Sequence, residues 1–206
     1  MNKPLRVISV DGTRGSGKTS QINMLSRLMM SLKLPFLVVK PGSDELSTIT
    51  ALKESDLFLQ NTPNGVVIMD GSVARPMVLD LIAGTSPMVV IDRFKHTMHN
   101  YEILHQKYNI ASLLFVMDNA EKARERLAKK SVLEGNEGVN IKDTDVETEL
   151  ISGMRTFNNH IASKNIKFHT FNLEPSDSIM AIHEQVKKYL YQNYDIPVLP
   201  RNDNDW

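Results

Sequence analysis

Cysteine is absent from this chain of 206 residues. Without it there is no thiolate zinc site, no iron–sulfur cluster, no cysteine nucleophile and no disulfide framework. Net charge is absent too, because Lys+Arg and Asp+Glu number 24 each. Such a balance argues against wholesale coating of nucleic acid or an anionic membrane, and leaves room only for a local basic patch. No apolar run approaches the ~18 residues of a membrane-spanning helix. Met1-Asn2-Lys3-Pro4 leads straight into a strand-like run, so no signal peptide is expected. Together the missing cysteine and the missing export signal point to a reducing, cytoplasmic setting. Internal repeats and low-complexity tracts are also missing. What is present is average globular usage, 41% hydrophobic and 23% charged. That suits a single domain over 1–206, large enough to bury roughly 70% of its unfolded surface.

Short apolar runs alternate with helical periodicity. Leu5 to Val10 reads as a buried strand, and Ile22, Leu25, Leu28, Met29 and Leu32 then recur at helical spacing. Phe36–Val39, Met88–Ile91, Ser112–Met117 and Lys167–Phe171 read as further strands, and Ile179, Ile182, Val186 and Leu190 mark a last helix. Gly65–Met69 is open between strand and helix start. Ser131–Thr144 is polar and glycine-bearing and reads as a mobile loop, and 195–206 as an extended tail. Strands separated by helices predict an α/β fold with a parallel sheet covered on both faces. Ligands of such sheets sit at the carboxyl ends of the strands.

Gly12-Thr13-Arg14-Gly15-Ser16-Gly17-Lys18-Thr19 fits G-x-x-x-x-G-K-[ST] at every fixed position, between a buried strand and an amphipathic helix. The glycines let successive backbone N–H groups turn inward onto phosphate oxygens, and the helix behind them adds its positive end. In that geometry Lys18 bridges the β- and γ-phosphates of ATP and the Thr19 hydroxyl ligates Mg²⁺, with Ser20 beside them. Arg14 would either add positive charge at the phosphates or point away from them into solvent. The loop by itself does not separate a kinase from an ATPase, a GTPase or a motor.

The wider pattern resembles the thymidylate kinase family. The residues that carry it are Val10-Asp11-Gly12 through Lys18-Thr19-Ser20-Gln21, then Val90-Ile91-Asp92-Arg93-Phe94 with Thr97 and Asn100-Tyr101-Glu102. Phe115 to Asp118, Ala123-Arg124-Glu125-Arg126-Leu127 and Lys129-Lys130 continue it, followed by Arg155-Thr156-Phe157 and Phe168–Phe171. The resemblance implies a three-layer P-loop kinase fold, with a central parallel five-stranded sheet and a mobile lid at about 126–146. It implies ATP and Mg²⁺ as cofactors. Asp92 would hold the metal with Thr19, and Arg93 would clamp phosphate between donor and acceptor. Arg126 would stack on adenine, with Lys129 and Lys130 reaching the transferring phosphate; a solvated helix face is the competing reading of these three. A homodimer is also implied.

The departures fall on the acceptor side. Where the family has R-E-P-G-G, this chain has Lys40-Pro41-Gly42-Ser43. Counted back from Asp92, the family's base-stacking aromatic falls on Val67 and its acceptor arginine on Gly71, with Arg75 one turn further on if that segment is helical. Candidate acceptor-binding residues are therefore Lys40, Asp70, Arg75, Arg93, Thr97 and Tyr101. Tyr101 reads equally well as a core aromatic. The first expected function is γ-phosphate transfer from ATP to a pyrimidine deoxynucleotide. The second is transfer to a hydroxyl, such as a 5-hydroxymethyl pyrimidine within phage DNA, which calls for a carboxylate base. Asp44, Glu45, Asp11, Asp70 and Asp92 are the candidates. A DNA partner could use a basic strip of Lys95, His96, His99 and Lys107, which reads as readily as a wet helix face. The third is a non-catalytic nucleotide switch. The six histidines do not cluster at metal-ligand spacing apart from His96 and His99, and those two read as surface residues.

Overall fold

The computed structural model describes residues 4–12, 15–42, 44–116, 168–174 and 176–194. The expected lid, with Arg124, Arg126, Lys129 and Lys130, lies outside the described residues, as do Thr13, Arg14, Arg155–Phe157 and the tail. Five strands, β1 (Leu5–Gly12), β2 (Phe36–Val39), β3 (Val66–Asp70), β4 (Asn109–Val116) and β5 (Phe168–Asn172), form one sheet in the order β2-β3-β1-β4-β5. Every pairing is parallel. The described helices are α1 (Lys18–Ser31), α2 (Glu45–Asn61), α3 (Arg75–Ile82), α4 (Pro87–Arg93), α5 (Lys95–Lys107) and α6 (Ile179–Asn193).

Strand alternation divides the core into two layers. Ile8, Val10, Ile68 and Leu113 face α1 and α6, meeting Ile22, Leu25, Ile182 and Val186. Val7, Val67, Met69 and Leu114 face the other way, onto Leu52, Met77, Phe94 and Leu104 of α2, α3, the α4–α5 junction and α5. A register shift between Leu5 and Val7 puts Leu5 into the α1 layer with Ile8 and frees Arg6. Arg6 donates to the carbonyls of Leu59, Thr62 and Gly65, satisfying the end of α2. The three-layer sandwich and the five-stranded parallel sheet stand as expected.

One strand changes identity. Met88–Ile91 is not a strand but part of α4, and β3 is built from Val66–Asp70 instead. Both runs are apolar, and the flanks decide between them. Ser86 caps α4 through the Val89 N–H, and Pro87 occupies a first-turn position where no N–H is needed. Met88, Val89 and Ile91 are then 77%, 49% and 46% exposed, whereas Val66–Met69 is buried throughout. Among the described residues no helix is long and apolar enough to cross a membrane.

Candidate phosphate-binding site

Strand β1 is the centre of the sheet, and the glycine-rich loop springs from its carboxyl end into α1. Gly12 is pinned on three sides. Its φ is +145°, and a Cβ there would stand 2.0 Å from the Phe115 carbonyl oxygen, so only glycine fits. Its N–H donates to Asp11 at 2.7 Å, and its carbonyl accepts from Lys18 Nζ at 2.6 Å. At the other end of the loop Gly17 caps α1 in the left-handed region, with no side-chain cap and no acidic residue in the first turn. A Cβ on Gly17 would meet nothing within 4 Å. The start of α1 thus has no side-chain cap at its positive end, which suits a phosphate. Ser16 is buried, Gly15, Lys18 and Ser20 are half-buried, and Thr19 is exposed on the first turn.

The carboxylate just ahead of the loop is fully buried. Asp11 accepts from the Gly12 N–H, from the Ser72 N–H at 3.0 Å and from Arg75 Nη1 at 2.6 Å. With three donors on it, Asp11 is committed to the scaffold and is not placed to serve as a base. Arg75 opens α3, while residues 71–74 form a turn closed by the Arg75 N–H on the Ser72 carbonyl. So the segment is helical from Arg75 onward but not at Gly71. Gly71 lies directly after β3, at φ +121°, with open space where a Cβ would stand. Asp70 is half-buried at the end of β3, beside Val10 of β1.

Past β2, Lys40 is exposed. Asp44 caps α2, accepting from the Ser47 N–H at 2.9 Å and hydroxyl at 2.7 Å, and these bonds hold its carboxyl below the usual range. Glu45 follows as the first residue of α2, and its Oε1 is buried with no hydrogen-bond partner. On α5, Thr97 is fully buried, and its hydroxyl also lacks a partner. Tyr101, one turn on, packs in the core, and burial pushes its phenol up to about 12 against a hydrogen bond from Ser112.

Asp92 and Arg93 do not stand at a strand end. Asp92 is 80% exposed and pairs with Lys95 at 3.1 Å. Arg93 pairs with Asp80 across the α3–α4 corner. Neither contact involves the phosphate loop, so the metal and phosphate roles expected of them lose the strand on which they rested. Val67, reached by counting from Asp92, is a core residue of β3. The strip on α5 is offset by acids, with Lys95 on Asp92 and Lys107 on Asp56 at 2.7 Å. Among the described residues no three His, Asp or Glu side chains gather as a metal site by themselves.

Two arrangements escaped sequence reasoning. The Asp11–Arg75 tie spans β1 and α3, and only the acid ahead of the first loop glycine hinted at it. Gln21, fully buried on α1, donates to the Ile179 carbonyl at 2.9 Å and accepts from His183 Nδ1 at 3.0 Å, locking α1 to α6. Burial keeps His183 below the ordinary histidine range.

No protein-family model and no curated protein matches the chain. Among solved structures it is similar to deoxyadenosine kinase from M. mycoides with bound dATP, at 11% identity and a TM-score of 0.50, covering 90% of this chain and 99% of that one. That likeness is one of fold, and the fold is that of a P-loop kinase.

Proposed function

We propose that this chain is an ATP-dependent phosphotransferase that moves the γ-phosphate of ATP to a pyrimidine deoxynucleotide. The observation that carries the reading is the phosphate loop itself, mounted on the central strand with the Lys18 ammonium already folded over it. The residues present fit ATP and Mg²⁺: the side-chain-uncapped start of α1, one lysine, one exposed threonine hydroxyl and the strand-end carboxylate Asp70. When bound, Mg²⁺ would neutralise charge on the β- and γ-phosphates. The α1 amides hold the phosphate chain, and Lys18 leaves the Gly12 carbonyl for phosphate oxygen. Thr19 and Asp70 would supply oxygen ligands to the Mg²⁺. Arg75 turns its remaining donors toward the acceptor phosphate, a use for which a planar fork is suited. Lys40 is the exposed candidate for the acceptor side, whereas Thr97 and Tyr101 lie in the core. A phosphate acceptor is already an anionic nucleophile, so positioning and charge neutralisation suffice.

A second reading is favoured by Glu45. Its buried, unpartnered Oε1 after β2 is a carboxylate oxygen in want of a proton donor, as a hydroxyl acceptor would be. In that case the hydroxyl proton passes to Glu45 as the oxygen attacks the γ-phosphorus and ADP leaves. Open space at Gly71 would admit a base presented from a DNA strand, such as a 5-hydroxymethyl pyrimidine.

Radiolabelled ATP offered to dTMP, hydroxymethyl-dUMP, dUMP, dCMP, nucleosides and DNA with and without hydroxymethyl pyrimidines separates the two. Label in a free monophosphate, undiminished in Glu45→Gln, supports the first. Label only in DNA or nucleosides, lost in Glu45→Gln, supports the second. Label in none of them contradicts both.

A further inference from the structure

We infer that Asp11 and Arg75 are a positioning pair that couples the phosphate loop to the β3–α3 turn, so that the state of Arg75 sets how tightly the loop grips phosphate. This rests on the kinase reading above and deepens it.

Gly12 is where the pair meets the loop. Its N–H is held by Asp11, its carbonyl by Lys18, and its Cα lies against the Phe115 backbone with no room to spare. The Asp11 carboxylate is therefore one of the holds on the first loop residue, beside Lys18 and the β4 backbone. That carboxylate is buried from solvent, and among the described residues the Arg75 guanidinium is its charged partner. Ser72 N–H adds a bond from the β3–α3 turn. Removing the guanidinium leaves a buried negative charge with two amides for company, which is a costly state. The carboxylate must then turn or draw in water, and either movement loosens the Gly12 N–H end of the loop.

Arg75 also pays a local penalty where it stands. It is the first residue of α3, where a cation opposes the helix dipole, and Ala74 before it provides no side-chain cap. Asp11 offsets that penalty. The pair thus holds a cation at a helix start, about one-third exposed, at the carboxyl edge of the sheet between the two central strands. An anion that draws Arg75 outward weakens its hold on Asp11, and by linkage the loop's affinity for phosphate changes in turn. Neither residue need touch ATP.

The test is calorimetric titration of Mg²⁺ with the β,γ-imido analogue of ATP into the full chain, at a temperature where circular dichroism shows each variant folded. Arg75→Gln is expected to bind about tenfold more weakly than wild type, and Arg75→Lys about threefold, because lysine restores the charge with a single bond. A loss of packing alone would lower the unfolding temperature and leave the affinity of the folded protein unchanged. Wild-type affinity in folded Arg75→Gln overturns the inference. If Arg75→Gln does not fold, Arg75→Lys is read by itself, and wild-type affinity there overturns it equally. A wild-type chain that does not bind the analogue refutes the kinase reading, and the coupling with it; binding by wild type with no effect of Arg75 refutes the coupling alone.

Discussion

Lys18 Nζ stands 2.6 Å from the carbonyl oxygen of Gly12, so the phosphate loop is closed on itself by its own lysine. The two residues are six apart in sequence and frame the space between them. Gly12 cannot be replaced in this arrangement. Gly12→Ala would put a methyl group 2.0 Å from the Phe115 carbonyl and force alanine to φ +145°. The expected cost is about 3 kcal/mol, read as a lower urea midpoint at unchanged slope. A midpoint equal to wild type would show that β1 and β4 part more easily than their packing suggests.

Arg93 is bound to Asp80 on the surface and is 52% exposed. Such a pair is worth about 0–1 kcal/mol. Arg93→Ala should therefore lower stability by less than about 1 kcal/mol and leave kcat/KM for ATP within about twofold. A hundredfold loss in kcat/KM would instead return Arg93 to the reaction centre.

The Thr97 hydroxyl is buried without a partner. An orphaned buried hydroxyl costs about 1–3 kcal/mol, which valine of nearly the same shape avoids. Thr97→Val should raise stability by about 1 kcal/mol, read as a higher urea midpoint. A destabilised variant would mean that the hydroxyl is satisfied in solution.

His183 carries a pH dependence whose sign is fixed by burial. Its folded value lies below the ordinary 6.5, chiefly through desolvation, with Lys187 adding to the effect and Glu184 opposing it. The unfolded chain therefore binds the proton more readily. Stability is full above about pH 6.5 and falls as the pH drops below it through the folded value. His169 acts with the same sign, also through burial. Thermal unfolding between pH 7.5 and 5.5 should show this decline, and His183→Gln, which retains a donor for Gln21, should make it shallower. An unchanged slope in that variant would assign the decline to other groups.

Much of the fold is legible in the sequence. β1 and α1 read correctly because a buried apolar run and a helical repeat of Ile22, Leu25 and Met29 flank the fixed glycines. β2 reads correctly from Phe36–Val39 alone. The exchange of β3 for α4 shows what apolar runs leave out. Val66–Met69 and Met88–Ile91 are alike in composition, and Ser86-Pro87 against Gly65 and Asp70-Gly71 separates them. Once Asp92 and Arg93 leave the strand end, Asp70 and Gly71 take that place, and the acceptor side must be read afresh. The Asp11–Arg75 and Gln21–His183 contacts were not legible, because each joins elements far apart in the chain through a partner that no periodicity marks.

The account turns on Lys18 and the loop it closes. Titration of ATP with Mg²⁺ into wild type and Lys18→Ala, followed by transfer of label to the acceptor panel, tests it most directly. The account predicts saturable binding and transfer by wild type, and a loss of transfer of at least about a hundredfold in a folded Lys18→Ala. Equal binding and transfer by the two proteins, or no binding by either, would contradict it.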